Sequence, residues 1–358
     1  MKRFLLLTAG LFLALTVFAQ QWGVVNISVC NMRRTPTYSA EMVSQALLGT
    51  PVQVLRTGGE YNWPEVKTPD GYTGWVHKDA ITRMDPEDIH AWNKARKVVV
   101  TALSAIIYKE PSSRSATVSD AVAGDRLLFL GKKGRFFKLA FPDGRIGYLS
   151  QEDGKEEDKW RKSLDKSPQA ILHTAQSMLG FPYLWAGMSP KGMDCSGFVR
   201  TVLFMHDIII PRDAGPQALE GERIFQKEDL QAGDLVFFGR WREDGTPGVS
   251  HVGFYLGEGC FIHSLGLVKI GSFNRKDPLY DAFNTSRYLF GGRILPYIDT
   301  DPDLTTTLSN PFYAEETRFP ENLIPGAGRS GRPGLFRRSP SLQHREGGRT
   351  HAPEVFPL

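Results

Sequence analysis

The run Met193-Asp194-Cys195-Ser196-Gly197 sets a thiol between an acid and a serine where an apolar helical pattern begins. Phe198, Val199, Val202, Leu203 and Met205 follow at helical spacing, so Cys195 falls in the first turn of a largely buried helix. Free N–H groups and the positive dipole end at a helix start favour an anion, which predicts a lowered thiol pKa and a usable nucleophile. Attack on an amide also needs a proton acceptor, and later a donor for the leaving amine, the work of histidine near neutral pH. His251 heads the apolar run Val252–Leu256, His263 ends the run Cys260–Ile262, and Gly257-Glu258-Gly259 joins the two as a hairpin. Paired this way the histidines stand side by side, His251 as base and His263 as the group that orients it. His173 and His206 lie in helical stretches without such support and read as structural.

Other fates for the thiol fit less well. A zinc site built on Cys195, His251 and His263 lacks any close-spaced ligand pair, whereas structural zinc wants four ligands with such spacing. The chain has three cysteines, Cys30, Cys195 and Cys260, an odd number that leaves at least one thiol unpaired. Cys30 belongs to another domain and Cys260 reads as an apolar-face residue of the hairpin, so neither is expected to pair with Cys195.

The elements that must hold these groups begin at Ser167, an N-cap followed by Pro168 at the first helical position, with Ile171, Leu172, Ala175 and Met178-Leu179 on the apolar stripe and Gly180 at the end. Upstream, Pro69-Asp70-Gly71-Tyr72-Thr73-Gly74-Trp75-Val76 is echoed by Pro142-Asp143-Gly144-Arg145-Ile146-Gly147-Tyr148-Leu149, each preceded by an apolar strand and a Gly-rich turn. Short strands at this spacing predict two small β-barrels, residues 22–84 and 97–152. The charged stretch Glu152–Lys159 reads as a solvated linker. From about Thr300 the chain is rich in Pro, Gly and Arg and poor in branched apolar residues, so 300–358 is expected to be a disordered tail without a catalytic role. At the other end Lys2 and Arg3 precede an apolar run, Phe4–Phe18, with small residues suited to cleavage after Ala19. This predicts a signal peptide over 1–19, and an exported protein with no integral membrane segment after cleavage. The net charge of +4 is too small and scattered to imply nucleic acid.

The stretches "NMRRTPTYSAEMVSQALLGTPVQVL" and "DGYTGWV" resemble bacterial SH3-like (SH3b) domains, and the second barrel follows mainly in its strand pattern. Residues 165–298 resemble NlpC/P60 cysteine peptidases, through "GFPYLWAGMSPKGMDCSGFVR", "IIIPRDAGPQA", "LQAGDLVFFG" and "HVGFYLGEGCFIHS" in the family's order. The resemblance implies an α+β, papain-like catalytic domain preceded by two SH3-like barrels. It implies Cys195 as nucleophile, His251 as base, His263 as third polar group and Tyr183 beside the oxyanion, with no metal or organic cofactor.

The arrangement is most similar to γ-D-glutamyl-L-diamino acid endopeptidases acting on peptidoglycan-derived peptides with a free N-terminal L-Ala. For that substrate it implies Asp194, Ser196, Asp213 and Trp185 as binding residues in the catalytic domain, with Glu41 and Tyr72 closing the pocket from the first barrel. Ala214 stands where that subgroup commonly carries serine, which removes a hydroxyl from the substrate side. A non-catalytic peptidoglycan-binding protein and an amidase or acyltransferase on the same fold are the alternative readings. A monomer is expected.

Overall fold

The computed structural model describes residues 21–314; the expected signal peptide and most of the expected tail lie outside them. Two seven-stranded antiparallel sheets come first. Numbering the strands within each sheet by chain order, both run third, second, sixth, fifth, fourth, first, seventh, so the weak sequence repeat is a repeat of topology. The first spans Gln21–Val25 to Ile81–Met84 and packs Val25, Met32, Val52, Val66 and Val76 inside. The second spans Lys97–Val100 to Gly154–Glu156 around Val98, Ile107, Leu127, Leu139 and Leu149.

The seventh strand of the second sheet corrects the expected linker. Residues Gly154–Glu156 pair with Val98–Val100, and a helix follows over Glu157–Lys162. Main-chain pairing needs no apolar side chain, and the charges are consumed locally. Glu156 meets Arg96, Lys132 and Lys159, while buried Glu157 pairs with Arg126 and Arg161.

The catalytic part is a six-stranded antiparallel sheet in the order Glu222–Ile224, Tyr288–Arg293, Leu235–Trp241, Pro247–Gly257, Cys260–Leu265, Leu267–Ser272. Its inner face packs Phe237, Val252, Phe254, Ile262 and Phe290 against Phe198, Val199, Val202 and Leu203 of the helix Cys195–Phe204. The helix Pro168–Gln176 adds Ile171, Leu172 and Ala175. Its cap is as expected, the Ser167 hydroxyl accepting from the Ala170 N–H. The helix closes at Gln176, and Gly180 at φ +83° ends the turn beyond it.

Residues 300–314 also depart from expectation. Thr305 pairs with Ile209, Leu304 is fully buried, and the Thr307 hydroxyl donates to Asp207 at 2.7 Å. The Asn310 amide donates to the Pro69 carbonyl at 3.0 Å, and the Asn93 amide donates to the Phe312 carbonyl at 2.9 Å. A few apolar and hydrogen-bonding side chains thus strap this segment across catalytic domain and first sheet, which the averaged composition of 300–358 concealed. Among the described residues no helix is long and apolar enough to cross a membrane.

Candidate active site

Cys195 is the first residue of its helix, and Asp194 is the N-cap, its carboxylate accepting the Gly197 N–H at 2.7 Å. The glycine at 197 is a packing demand, since a Cβ there would lie 2.0 Å from the Gly187 carbonyl oxygen. The loop leading in holds Ala186 at φ +60°, which aims its N–H at the second Asp194 oxygen, 3.0 Å away. Buried Arg212 completes the cluster with a fork onto Asp194 at 2.6 and 3.2 Å and a bond to the Ser196 hydroxyl at 2.9 Å.

Asp194 and Ser196 were expected to face a substrate amine. The structure instead fills the Asp194 oxygens with Arg212 and two N–H groups, so this carboxylate is ion-paired and caps the helix. Arg212, unmarked in the sequence reading, is the residue that fixes it. The acid left without a close partner is Asp213, half exposed and 3.9 Å from Arg212. Burial pushes its carboxyl up against the pull of Arg212, with Asp194 and Asp70 adding to the rise.

On the facing strands Gly253 lies opposite His263, and His251 Nε2 is 2.7 Å from His263 Nδ1. His263 Nε2 makes no hydrogen bond and points toward Asp281, 3.7 Å away. A carboxylate on that side favours the proton on His263 Nε2, which leaves Nδ1 to accept from His251 Nε2–H and leaves His251 Nδ1 as the basic lone pair. Asp281 is a further residue the sequence did not reveal; it lies beyond the strand Leu267–Ser272, just before the short helix Ala282–Thr285, and sits in no motif.

The charge states differ from a preformed ion pair. Cys195 stays partly exposed, so its thiol can be reached. Burial of the sulfur and then the Asp194 charge push that thiol up to about 12, although the Val252 and Ser196 N–H groups and Arg212 favour the thiolate. The lowered pKa expected of a helix start is thus reversed, first because the sulfur is buried and then because the cap that satisfies the helix is itself an anion beside it. Burial, followed by the charges of His263, Arg287 and Lys269, holds His251 well below 6.5. Burial brings His263 down to about 4 against the pull of Asp281. At neutral pH these groups are a thiol and a neutral imidazole. Tyr183 is held protonated by burial and by the Cys195 and Asp194 charges, which suits a hydrogen-bond donor near the sulfur.

The first sheet reaches this cleft. Exposed Trp185 donates its indole N–H to Glu41 at 3.0 Å, and Glu41 also binds Arg34 at 2.8 Å. Those partners, Arg34 first, hold the Glu41 carboxyl below its usual range. Half-buried Tyr72 is pushed up by burial and then by the Asp213 charge, which places the two in electrostatic reach. Glu41 and Trp185 are bonded, and Tyr72 lies within electrostatic reach of both Asp213 and Glu41, although the four come from separate segments of sequence. Among the described residues no group of three or more His, Cys, Asp or Glu is arranged to hold a metal.

Residues 180–290 match the NlpC/P60 family model, and residues 32–81 match that of the bacterial dipeptidyl-peptidase SH3 domain. A γ-D-glutamyl-L-lysine dipeptidyl-peptidase of Bacillus cereus is 33% identical over 234 residues, covering 64% of this chain and 68% of the relative. The chain belongs to the NlpC/P60 family. A second relative, the γ-D-glutamyl-L-lysine dipeptidyl-peptidase of Bacillus subtilis, is 31% identical over 227 residues, covering 62% of this chain and 71% of that one. The crystal structure of an NlpC/P60 family protein from Bacillus cereus superposes with a TM-score of 0.65 at 28% identity, over 77% of this chain and all of the other. The α+β catalytic domain with SH3-like modules before it is the architecture expected from the sequence, and the protein is a cysteine peptidase.

Proposed function

We propose that this NlpC/P60 peptidase hydrolyses the bond between D-γ-glutamate and a diamino acid in peptidoglycan stem peptides with a free N-terminal L-Ala, after export from the cytoplasm. The observation that carries the reading is the acidic end of the cleft, where Glu41 and Tyr72 of the first SH3-like module stand within electrostatic reach of each other and Tyr72 of Asp213, which lies 3.9 Å from the Arg212 that binds Asp194, the neighbour of Cys195. An ammonium entering there meets carboxylates and a phenol, whereas an acetylated nitrogen brings no charge to them and leaves Asp213 without a close cationic partner. The names of the two Bacillus relatives agree with this bond.

In this mechanism His251 Nδ1 takes the thiol proton as Cys195 Sγ attacks the γ-glutamyl carbonyl. Because both groups rest neutral, proton transfer and attack go together. The oxyanion is held by N–H groups at the helix start and by the Tyr183 hydroxyl. His251, now protonated and steadied by His263, returns the proton to the departing amine, and water then cleaves the thioester. The test is mass-spectrometric cleavage of L-Ala-γ-D-Glu-diamino acid peptides with free and acetylated N-termini. The expected result is loss of the free-amine peptide alone, abolished in Cys195→Ala; equal cleavage of both would remove the amine pocket from the reading.

A further inference from the structure

The acidic end of the cleft has a basic counterpart that no step above uses. Beyond His251 the strands Leu235–Trp241 and Pro247–Gly257 are displaced by a bulge between Phe238 and Gly239, which sets Arg240 opposite Gly248. Around it lies a cleft of about 610 Å³ lined by Gly239, Arg240, Gly248, Ser250, Phe283 and Arg287. The two glycines let the paired strands approach closely there, and the side chains that line the cleft are Arg240, Ser250, Phe283 and Arg287. Arg287 is preorganised, its guanidinium 4.5 Å over the Phe283 ring and bonded to the Ser250 hydroxyl. Arg240 is exposed and makes no side-chain hydrogen bond or ion pair among the described residues.

We propose that Arg240 and Arg287 form the subsite for a carboxylate of the leaving diamino acid. The assignment rests on the reading of the reaction given above and adds the part of the substrate that the acidic end cannot recognise. Two guanidinium groups converge with no carboxylate bonded between them, a placement that an incoming carboxylate relieves and that a neutral group does not. Arg287 is held down by burial and then by Arg240, with Asp281 pulling the other way. The position fits the chemistry of departure. Arg287 exerts its charge on both Cys195 and His251, and Ser250 adjoins His251, the group that hands its proton to the leaving amine. The acidic end lies instead toward Asp194 and Arg212. A peptide cation bound there and a carboxylate bound here straddle the thiol with the scissile bond between them.

The carboxylate has two sources, the α-carboxylate of a terminal diamino acid and the distal carboxylate of diaminopimelate. Both are separable by calorimetric titration of the Cys195→Ala protein, which binds without cleaving. Three peptides serve: L-Ala-γ-D-Glu-L-Lys as free acid, its carboxamide, and L-Ala-γ-D-Glu-meso-diaminopimelate with only the distal carboxylate free. The free acid, the distal acid or both should bind about tenfold more tightly than the carboxamide. Arg240→Gln with Arg287→Gln should bring all three within about twofold while leaving carboxamide binding unchanged, which also reports an intact fold. Arg240→Gln alone, at an exposed and unbonded position, should remove part of the preference. Equal binding of the three peptides, or a preference that survives both substitutions, overturns the subsite. Hydrolysis by the unsubstituted protein is followed separately. Its absence for every peptide would overturn the proposed reaction, while the binding difference still decides the arginines.

Discussion

The two SH3-like modules share one strand order and one Pro-Asp-Gly turn, yet the turns meet different neighbours. In the first, the Asp70 side chain is 1% exposed and pairs at 2.8 Å with Arg200, on the helix that begins at Cys195. Thr68 donates to Asp70 and to the Tyr72 carbonyl, so the same turn sets Tyr72. In the second, Asp143 is at the surface and pairs with Arg145 two residues on. The second module makes its buried ion pair elsewhere, Arg126 with Glu157, and packs under the far end of the nucleophile helix at Phe204. Gly124 makes that fit at φ +95°, where a Cβ would lie 3.0 Å from the Phe204 ring. Duplication has copied topology and turn chemistry; the residue opposite each turn decides whether the copy touches the reaction or only carries load.

The sharpest test removes one partner of each buried pair. Asp70→Ala strands Arg200 and Glu157→Ala strands Arg126, and each should cost about 3–5 kcal/mol in denaturant unfolding. Asp143→Ala should stay within about 0.5 kcal/mol, the range for an exposed pair. Activity should then separate the two costly variants. Below their melting temperatures Asp70→Ala should lose about tenfold or more in kcat/KM through a displaced helix and Tyr72, while Glu157→Ala keeps kcat/KM within about twofold. Equal activity losses would erase the difference between the modules.

Acid separates the regions in another way. His263 is buried and its folded pKa is brought down to about 4, below the ordinary 6.5 of an unfolded chain. Its neutral form is the folded one, so stability is complete above pH 6.5 and falls as the unfolded chain takes up the proton, by about 3 kcal/mol on reaching pH 4. Glu157 is shifted in the same direction but from a lower starting value: against its burial, Arg126 and Arg161 hold it below the usual carboxylate range, so its contribution is lost only under pH 4.5. Unfolding free energies measured between pH 7 and 4.5 should therefore slope in the unsubstituted protein, slope less steeply in His263→Asn, where buried His251 keeps its own share, and keep their full slope in Glu157→Ala.

Much of this was legible before the fold. Local signals carried the nucleophile helix, its serine-capped neighbour, the histidine hairpin and the twin β modules, because each rests on periodicity or turn residues within a short window. What escaped was held by partners far along the chain. Asp194 looked like a free acid because Arg212, which pairs with it, belongs to a separate loop. Asp281 stands behind His263 with no motif of its own. Glu152–Lys159 looked solvated because nothing in its composition shows that the Lys97–Val100 strand offers it an open edge. The raised Cys195 pKa has a similar origin, since the helix-start argument counted N–H groups and omitted first the burial of the sulfur under distant strands and then the anion that caps the helix.

A smaller effect tests whether the first module selects substrate. Glu41 is exposed, so Glu41→Gln should change unfolding stability by less than about 0.5 kcal/mol. It should still narrow the preference for a free over an acetylated N-terminus by about tenfold, the worth of one charged acceptor. The expected signature is a raised KM for the free-amine peptide with kcat little changed, since the interaction is made equally in ground and transition states. A loss in kcat alone would place Glu41 in support of Trp185 and not of the ligand.

The least effect is expected where the second module comes nearest the nucleophile loop. Lys191, four residues before Cys195, pairs at 2.5 Å with Asp120 of that module, and both side chains are nearly half exposed. Such a pair is screened by water and salt and costs entropy to hold, so Lys191→Ala should lose only about 0.2–1 kcal/mol, less still in high salt. Its kcat/KM should match that of the unsubstituted enzyme. A loss on the scale of Asp70→Ala would mean that the second module also positions the cleft, through a surface contact, and that burial of the pair is not what distinguishes the working copy from its duplicate.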